Sequence, residues 1–229
     1  MSRRFVIGDI HGCFNTLRAL IEVKIQLTPD DRLYLVGDLI DRGPLSREVL
    51  DYIILLKEQG YYINSVRGNH EDMFLKAKDD EPVFNLWMKN KGQATLRSFN
   101  LNANTYDNLN QIPEIYFNLI RSFPLFYNLD DYIIVHAGLN FDAVSVFYDE
   151  YAMLWSRNMD YVAGKVNNKA IVHGHTPLPL TIILQNIRDH KIKDLNIDAG
   201  CAYKNIPGYG FLVALNLETR EPLVLQSID

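Results

Sequence analysis

The sequence predicts an α/β fold in which two mixed β-sheets pack face to face and helices cover their outer surfaces. The first third repeats an order of strand, loop and helix, which is typical of parallel strands joined by right-handed crossovers. Beyond residue 131 the apolar runs are short and separated by turn residues, which favours antiparallel pairing. Polar clusters rich in His, Asp and Gly follow strands in both parts, so both sheets are expected to contribute to one site.

The first three predicted strands are at 4–7, 33–36 and 61–66. Apolar residues at helical spacing follow the first strand between residues 17 and 21. The same spacing follows the second strand at 49–54, and Gly60 ends that helix. Ligands bind beyond the carboxyl ends of such parallel strands, so the polar residues there are the candidates for a site.

The segment at about 81–128 differs in composition, with many asparagines and aromatic residues. Ile115, Leu119 and Ile120 have helical spacing. We therefore predict a helical insertion over the site, within a single domain that spans residues 1–229. The aromatic residues are expected to pack with one another rather than to stack on nucleic-acid bases, because few basic residues lie among them.

From residue 131 onward the pattern predicts strands in a largely antiparallel arrangement. The predicted strands are 132–135, 170–172, 180–184, 192–197, 211–217 and 222–228. A hairpin connection is expected at 216–220. The first two of these strands end at His136 and His173, which places further histidines at strand ends.

Charge and hydropathy exclude several classes of function. The chain has 229 residues and a net charge of −5, so it lacks the overall basic surface of a nucleic-acid-binding protein. Its apolar runs are too short to span a bilayer, and its first residues lack the apolar stretch of a signal peptide. We expect a cytoplasmic protein with no nucleic-acid or membrane partner, in which Cys13 and Cys201 stay reduced.

Five short clusters of Gly, Asp and His contain five of the six histidines. They are GDIHG at 8–12, GDLIDRG at 37–43, RGNHE at 67–71, HAGL at 136–139 and HGHT at 173–176. Any one of them is usual in a turn after a strand. Five in order are not explained by turns, and they place nitrogen and oxygen ligands at the ends of separate strands.

The residue types in these clusters suit metal ions. Asp9 and His11 are separated by one residue and can face one ion, while Asp38 offers a carboxylate that can bridge two cations. A neutral amide oxygen and two imidazoles for a second ion come from Asn69, His136 and His175. Because no thiolate is included, we expect two divalent ions, Mn first, with Fe or Zn as alternatives. Water held between two such ions about 3.5–4 Å apart becomes hydroxide near neutral pH and can attack a phosphoryl group.

The order, residue types and loop context of these clusters resemble the phosphoprotein phosphatase (PPP) family of metallophosphoesterases. Its motifs are GDxHG, GDxxDRG and GNHE, followed by two later histidines. The resemblance covers essentially the whole chain and implies the calcineurin-like metallophosphoesterase fold. It implies that the first metal is held by Asp9, His11 and Asp38. It implies that the second is held by Asp38, Asn69, His136 and His175.

The same resemblance implies roles for residues that are not metal ligands. His70, oriented by Asp41, is expected to be the acid that protonates the leaving oxygen. Arg42 and Arg157 are expected to bind the substrate phosphate. Arg157 ends a Leu-Trp-Ser-Arg segment that is similar to the tryptophan-arginine segment of small bacterial members. Arg67 fits either a phosphate ligand or a structural ion-pair partner.

Three further residues of these regions have other expectations. Glu71 fits the first turn of a helix, where the helix dipole favours a carboxylate. His173 is expected in the core or behind the metal ligands rather than on a metal. His190, in a run of charged residues, is expected at the surface.

The main functional hypothesis is a serine/threonine protein phosphatase, and the alternative is a symmetrical bis(5′-nucleosyl)-tetraphosphatase that hydrolyses diadenosine tetraphosphate. The partner is accordingly a phosphorylated protein or a small phosphorylated substrate. An inactive phosphate-binding module is an alternative of another class, and the complete set of candidate ligands argues against it. A cysteine-nucleophile phosphatase is excluded, because Arg18 follows Cys13 one residue too early for the Cys-x5-Arg motif and Cys201 has no arginine within reach.

Overall fold

The computed structural model describes residues 2–102 and 106–229. The strands are β1 (Arg4–Ile7), β2 (Arg32–Leu35), β3 (Tyr62–Ser65), β4 (Phe126–Asn128), β5 (Tyr132–Val135), β6 (Ala170–His173), β7 (Asp194–Asn196), β8 (Phe211–Asn216) and β9 (Pro222–Gln226). The α-helices are α1 (Phe14–Ala19), α2 (Ser46–Glu58), α3 (Asn69–Ala77), α4 (Glu81–Lys89), α5 (Gln93–Ser98), α6 (Glu114–Arg121), α7 (Glu150–Trp155) and α8 (Leu180–Arg188). A π-helical turn (Leu20–Ile25) extends α1, and 3₁₀ turns lie at Tyr106–Gln111 and Ala163–Val166.

The strands form two mixed sheets. One sheet has the order β3-β2-β1-β8-β9, and the other has the order β4-β5-β6-β7. In the first sheet β1 pairs parallel to β2 and β2 parallel to β3, while β8 and β9 add antiparallel strands beyond β1. In the second sheet β5, β6 and β7 are parallel and β4 is antiparallel. The predicted fold class is confirmed.

Successive side chains along each strand point to opposite faces of its sheet, and both faces are buried. Val6 and Val213 of the first sheet share a buried cluster with Ile134 and Val172 of the second, so the sheets pack against each other. The next residues along the strands, such as Ile7 and Ile133, point to the outer faces and pack in separate clusters beneath helices and loops. Because both faces are covered, most strand residues are apolar, and the polar ones lie mainly at the strand ends.

The structure corrects the prediction for residues 180–184. This apolar run is not a strand, because it forms the first part of α8. Ile183 and Ile187, which are one helical turn apart, are buried in the cluster between the sheets. A short apolar run fits a strand or a buried helix equally well, so contacts with the rest of the protein decide between them.

The predicted antiparallel arrangement of the second part is also wrong for most of its strands. β5, β6 and β7 pair in parallel, and the connection from β6 to β7 runs through α8. Among the described residues, antiparallel pairing occurs between β4 and β5, between β1 and β8 and between β8 and β9. The hairpin connection between β8 and β9 is confirmed, with Arg220 N donating to Asn216 O at 2.8 Å.

The 81–128 segment contains α4, α5, a 3₁₀ turn and α6, and its last three residues form β4 at an edge of the second sheet. Its aromatic side chains pack with one another, as Phe99 does against Tyr116, and with aromatic residues outside the segment. Phe74 of α3 stacks on Phe117 at 4.6 Å between ring centroids and meets Trp87 edge to face. None of the helices in the described residues is both long and apolar enough to cross a membrane.

Arg3 and Asp31 tie together the starts of β1 and β2, the strands that lead to two of the clusters. The buried Asp31 carboxylate accepts hydrogen bonds from Arg3 Nη2 at 2.6 Å and from Thr28 N at 2.9 Å. Burial by itself raises the pKa of Asp31, but the bonds from Arg3 and Thr28 outweigh it and hold the pKa below its ordinary value.

We expect Asp31→Asn to lower the free energy of unfolding by about 1–3 kcal/mol at pH 7, because it removes a charge-assisted hydrogen bond. The folded-state pKa lies below the unfolded-state value of about 3.9, so this contribution is present above about pH 5 and is lost as the pH falls below about 4. Urea unfolding of both proteins at pH 7 and pH 3 measures it. An equal difference at the two pH values would contradict the assignment.

Candidate metal and phosphate site

The predicted ligands lie at the carboxyl ends of strands from both sheets. Asp9 follows β1, Asp38 follows β2 and Asn69 begins α3 just after β3. From the second sheet, His136 directly follows β5 and His175 lies two residues beyond β6. Because the sheets face each other and these strand ends share one edge, residues more than 160 positions apart meet, as in the hydrogen bond from His175 N to Asp9.

One group of ligand atoms surrounds Asp38 Oδ2. His11 Nε2 lies 3.4 Å from this oxygen and 4.0 Å from Asp9 Oδ2. His70 Nε2 is also near, at 3.9 Å from Asp38 Oδ2. All four side chains are buried, so the carboxylates have few water molecules to solvate them.

A second group surrounds the other oxygen of Asp38. His136 Nε2 lies 3.4 Å from Asp38 Oδ1, 2.9 Å from Asn69 Oδ1 and 3.2 Å from His175 Nδ1. His175 Nδ1 is itself 3.1 Å from Asn69 Oδ1. The structure thus brings together both predicted ligand sets, with Asp38 between them.

Backbone carbonyl groups fix which ring nitrogen faces the site. His11 Nδ1 lies 2.8 Å from Ile40 O, and His136 Nδ1 lies 2.9 Å from Val36 O. A carbonyl oxygen only accepts, so each Nδ1 carries the proton and each Nε2 presents a lone pair to the site. This is the tautomer that a metal-binding histidine requires.

The donor set fits divalent cations. Asp38 Oδ2 is buried without a hydrogen-bond partner, and the lone pairs of His136 Nε2 and Asn69 Oδ1 face each other at 2.9 Å. Burial raises the pKa of Asp9, and the nearby carboxylates Asp198 and Asp38 raise it further. Burial also lowers the pKa of the candidate ligand imidazoles His11, His136 and His175, to about 3 for His175. Neutral imidazoles and crowded carboxylates are what a cation stabilises.

The loops that carry these residues have unusual backbone conformations. Positive φ angles occur at His11, Asp38, Asp41, Arg42 and His175, although none of them is a glycine. Such conformations cost energy and cluster at functional sites, where the surrounding structure holds them in place. Gly174 allows a further close approach, because a Cβ atom there would lie 1.8 Å from Asp9 Oδ1.

Glu71 has a role that the sequence did not indicate. Its buried carboxylate accepts hydrogen bonds from the backbone N–H groups of Asp38 and Leu39 at 2.8 Å, Gly68 at 2.9 Å and Ile40 at 3.3 Å. It therefore joins the loop after β2 to the loop after β3. Burial and the Asp38 charge raise the pKa of Glu71 to about 7, against the opposing effect of the backbone donors.

His70 and Asp41 form a hydrogen-bonded pair that is fully buried. His70 Nδ1 lies 2.6 Å from Asp41 Oδ2. Burial alone lowers the pKa of His70, but the Asp38 and Asp41 carboxylates outweigh it and raise the pKa above its ordinary value. Trp87 Nε1 donates to Asp41 Oδ2 at 2.7 Å and Thr95 Oγ1 donates to Asp41 Oδ1 at 2.5 Å. The helices α4 and α5 thus hold Asp41 in place, a contact that the sequence did not predict.

The three arginines have different surroundings. Arg42 and Arg157 line one cavity of about 220 Å³ together with Asn69 and His175. Arg42 Nη1 contacts His11 Nε2, and its Nη2 lies 3.1 Å from His70 Nε2. Arg67 is not among the residues that line this cavity. It lies 3.6 Å from Asp72, which is the geometry of a structural ion pair.

The remaining polar candidates lie behind or outside the cavity. His173 is buried and contacts Asp194 at 2.7 Å, whereas His190 is exposed. Asp198, in the loop after β7, is buried near Asp9 and accepts a hydrogen bond from Gly200 N at 2.8 Å. Cys13 and Cys201 are both free and buried.

Several known phosphoesterases are similar to this chain. A family model of calcineurin-like phosphoesterases matches residues 2–207. The asymmetrical bis(5′-nucleosyl)-tetraphosphatase PrpE of Bacillus velezensis is 27% identical over 231 residues, which cover 90% of this chain and 88% of that protein. The symmetrical bis(5′-nucleosyl)-tetraphosphatase of Salmonella typhimurium is 46% identical over 68 residues, which cover 29% of this chain and 23% of that protein.

Solved structures share the fold. A candidate diadenosine tetraphosphatase has a TM-score of 0.64 at 20% identity and covers 100% of this chain and 95% of its own. A serine/threonine phosphatase of Saccharomyces cerevisiae, described as similar to human PP5, has a TM-score of 0.63 at 16% identity and covers 99% and 79%. The resemblance to the metallophosphoesterases is confirmed. The chain belongs to the calcineurin-like phosphoesterase family.

Proposed function

We propose that this phosphoesterase uses two divalent metal ions to hydrolyse dinucleoside polyphosphates, and that Mn is the preferred metal. The convergence of two ligand groups on the two oxygens of Asp38, beside Arg42 and Arg157, carries the proposal of metal-dependent hydrolysis. The similarity to a tetraphosphatase over 90% of the chain supports the substrate class.

In this proposal Asp9, His11 and Asp38 hold one metal. The other is held by Asp38, Asn69, His136 and His175. When bound, the pair of cations supplies Lewis acidity, which activates water as a nucleophile and offsets the charge of the phosphoryl group. The protein holds the imidazoles in the required tautomer through Ile40 O and Val36 O.

Arg42 and Arg157 bind the phosphate in this proposal. The guanidinium of Arg42 now contacts His11 Nε2 and His70 Nε2. It cannot keep the first contact when His11 binds a metal, because a single lone pair serves both. We infer that Arg42 then turns to the phosphate oxygens, which a planar guanidinium binds through two parallel hydrogen bonds. That movement also frees His70 Nε2.

His70 acts as the general acid. Asp41 accepts from Nδ1 and orients the ring, while Nε2 contacts Arg42, which lines the cavity, and can give a proton to the leaving oxygen once Arg42 moves. The raised pKa of His70 favours the protonated ring that this step needs. Asp41, held by Trp87 and Thr95, therefore orients the acid, and together with Asp38 it favours the charged ring.

Arg157→Ala should keep both metals and lose about 2–3 kcal/mol of transition-state stabilisation, because one charged hydrogen bond to the phosphate is lost. The loss is measured as the fall in kcat/KM for p-nitrophenyl phosphate. Arg188→Ala, at an exposed position near the end of α8, is the matched control. An unchanged kcat/KM in Arg157→Ala would mean that the residue is only part of the exposed segment after α7.

Trp87→Phe keeps an aromatic ring at this buried position, although a smaller one, and removes one hydrogen bond to Asp41. We expect kcat/KM for a phosphomonoester with a poor leaving group to fall about 10- to 100-fold, the effect of losing a bond to a charged group. In a His70→Asn background the same change should have little further effect, because Trp87 acts through Asp41 and His70. Additive losses in the double variant would refute this linkage.

The experiment that tests the proposed function compares substrates on the Mn-loaded protein. Diadenosine tetraphosphate, a phosphoserine peptide and p-nitrophenyl phosphate are assayed side by side, with and without EDTA. We expect EDTA to abolish all turnover, and diadenosine tetraphosphate to have the highest kcat/KM. Turnover that persists in EDTA, or no turnover of any of the three substrates by the Mn-loaded protein, would overturn the proposal.

A serine/threonine protein phosphatase is the second candidate function. Arg157 is exposed, so a phosphate carried on a protein segment can reach it. A higher kcat/KM for the phosphoserine peptide than for diadenosine tetraphosphate would select this candidate.

A further inference from the structure

A second cavity lies directly beside the one that holds Arg42 and Arg157. It has a volume of about 320 Å³ and is lined by Pro177, Tyr203, Ile206 and Tyr209, which we call the aromatic shelf. Pro177 and Tyr203 line both cavities, so the two spaces are continuous. The shelf has no charged side chain, in contrast to the neighbouring cavity with its two arginines.

The aromatic shelf lies close to the arginines of the neighbouring cavity. The guanidinium carbon of Arg42 lies 5.6 Å from the centre of the Tyr203 ring, in a cation–π arrangement. A phosphate bound at Arg42 would therefore have an aromatic ring beside it. A 5′-nucleotide presents the matching pair of groups, a phosphate and a flat base joined through one ribose.

The loop that carries the shelf is held by its own backbone. Tyr203 N donates to Gly200 O at 2.8 Å, Ile206 N to Tyr203 O at 2.9 Å and Tyr209 N to Ile206 O at 3.1 Å. Gly200 has a positive φ of 63°, and a Cβ atom there would lie 2.9 Å from Tyr203 and 3.1 Å from Tyr209. Both rings thus pack against a bare backbone position, which gives the shelf a fixed shape before any ligand binds.

We propose that the aromatic shelf binds the nucleobase of the substrate by stacking, and that it makes this phosphoesterase prefer nucleotides to other phosphate esters. The inference rests on the proposed function for its substrate class. A base suits the shelf because every base has a flat face that stacks on tyrosine, and each such contact contributes about 1–3 kcal/mol. Arg42 and Arg157 would then hold the phosphate next to the stacked base.

The test measures binding rather than turnover. Isothermal titration calorimetry of the Mn-loaded protein compares adenosine 5′-monophosphate with ribose 5-phosphate, which has the same phosphate and sugar but no base. We expect the wild type to bind the nucleotide about 5- to 150-fold more tightly, the range that one stacking contact gives. Tyr209→Leu should lose this preference and Tyr209→Phe should keep it. Tyr148→Leu, at a tyrosine that is 84% exposed and lines neither cavity, is the matched control and should also keep it.

Equal binding of the two ligands by the wild type would overturn the proposal, as would a full preference retained in Tyr209→Leu. If Tyr209→Leu lowers kcat/KM for a phosphoserine peptide while the nucleotide preference is unchanged, the shelf binds peptide instead, and the proposal is also wrong. Turnover of p-nitrophenyl phosphate by the Mn-loaded wild type is measured separately. Its absence would overturn the proposed function, while the titrations would still decide whether the shelf binds a base.

Discussion

Asp38→Asn should lose both metal binding and activity in a single step. Asp38 is the only side chain among the described residues that places one carboxylate oxygen in each of the two ligand groups. An amide has no negative charge and presents one oxygen and one NH₂ group, so it cannot bridge two cations. Changing a residue that only hydrogen-bonds to a metal ligand costs about 10- to 100-fold in affinity or activity. For the bridging carboxylate we expect a loss of more than about 100-fold.

Metal content by mass spectrometry and kcat/KM for p-nitrophenyl phosphate would be measured on the same samples. Asp30→Asn, at an exposed position just before β2, makes the same chemical change outside the site and should bind two metals and retain full activity. Circular dichroism would establish that both variants are folded. Two bound metals and normal turnover in Asp38→Asn would refute the assignment of Asp38 as the bridge.

His70→Asn should affect substrates according to their leaving group. A general acid matters most when the departing oxygen is too basic to leave as an anion, and general acids typically contribute about 10²–10⁴-fold. A serine alkoxide is a very poor leaving group, whereas a nitrophenolate leaves readily without a proton. We expect about a 100-fold or larger loss for a phosphoserine peptide and a much smaller loss for p-nitrophenyl phosphate. Diadenosine tetraphosphate, whose leaving group is acidic, should behave like the aryl ester.

The measurement is kcat/KM for the three substrates on wild type and variant, with the metal content determined for each sample. His190→Asn changes an exposed histidine outside the site and serves as the control. Equal losses on the phosphoserine peptide and the aryl ester would show that His70 positions the nucleophile or the phosphate instead. A loss of metal in His70→Asn would place His70 in the ligand group around Asp38 Oδ2, which it approaches to 3.9 Å.

The sequence predicted the mixed α/β fold and the residues that meet at the site. This was possible because each cluster directly follows an apolar strand, so the neighbouring sequence shows which strand positions each candidate ligand. Asp9 after β1, Asp38 after β2 and His136 after β5 illustrate this relation. Their residue types further indicated metal chemistry, because carboxylate, amide and imidazole groups share that use.

The local pattern of apolar residues gave a wrong prediction where a strand and a helix fit it equally well. The apolar run at 180–184 fits a strand, yet it is part of α8 because Ile183 and Ile187 reach the space between the sheets. The direction of β6 and β7 likewise depends on that helical connection, since a helix between two strands returns the chain for parallel pairing. Neither result follows from a window of neighbouring residues.

By itself, therefore, the sequence indicated the strand-end clusters, the candidate metal ligands and the family of this protein. Only the tertiary structure decided how Glu71 joins two loops, how Trp87 and Thr95 hold Asp41, and how Tyr203 and Tyr209 lie beside the arginine-lined cavity. The physical reason is that a periodic pattern reports which residues are buried but not what they contact. A buried polar or aromatic group takes its partner from another part of the chain, and that choice is made when the sheets and helices pack together.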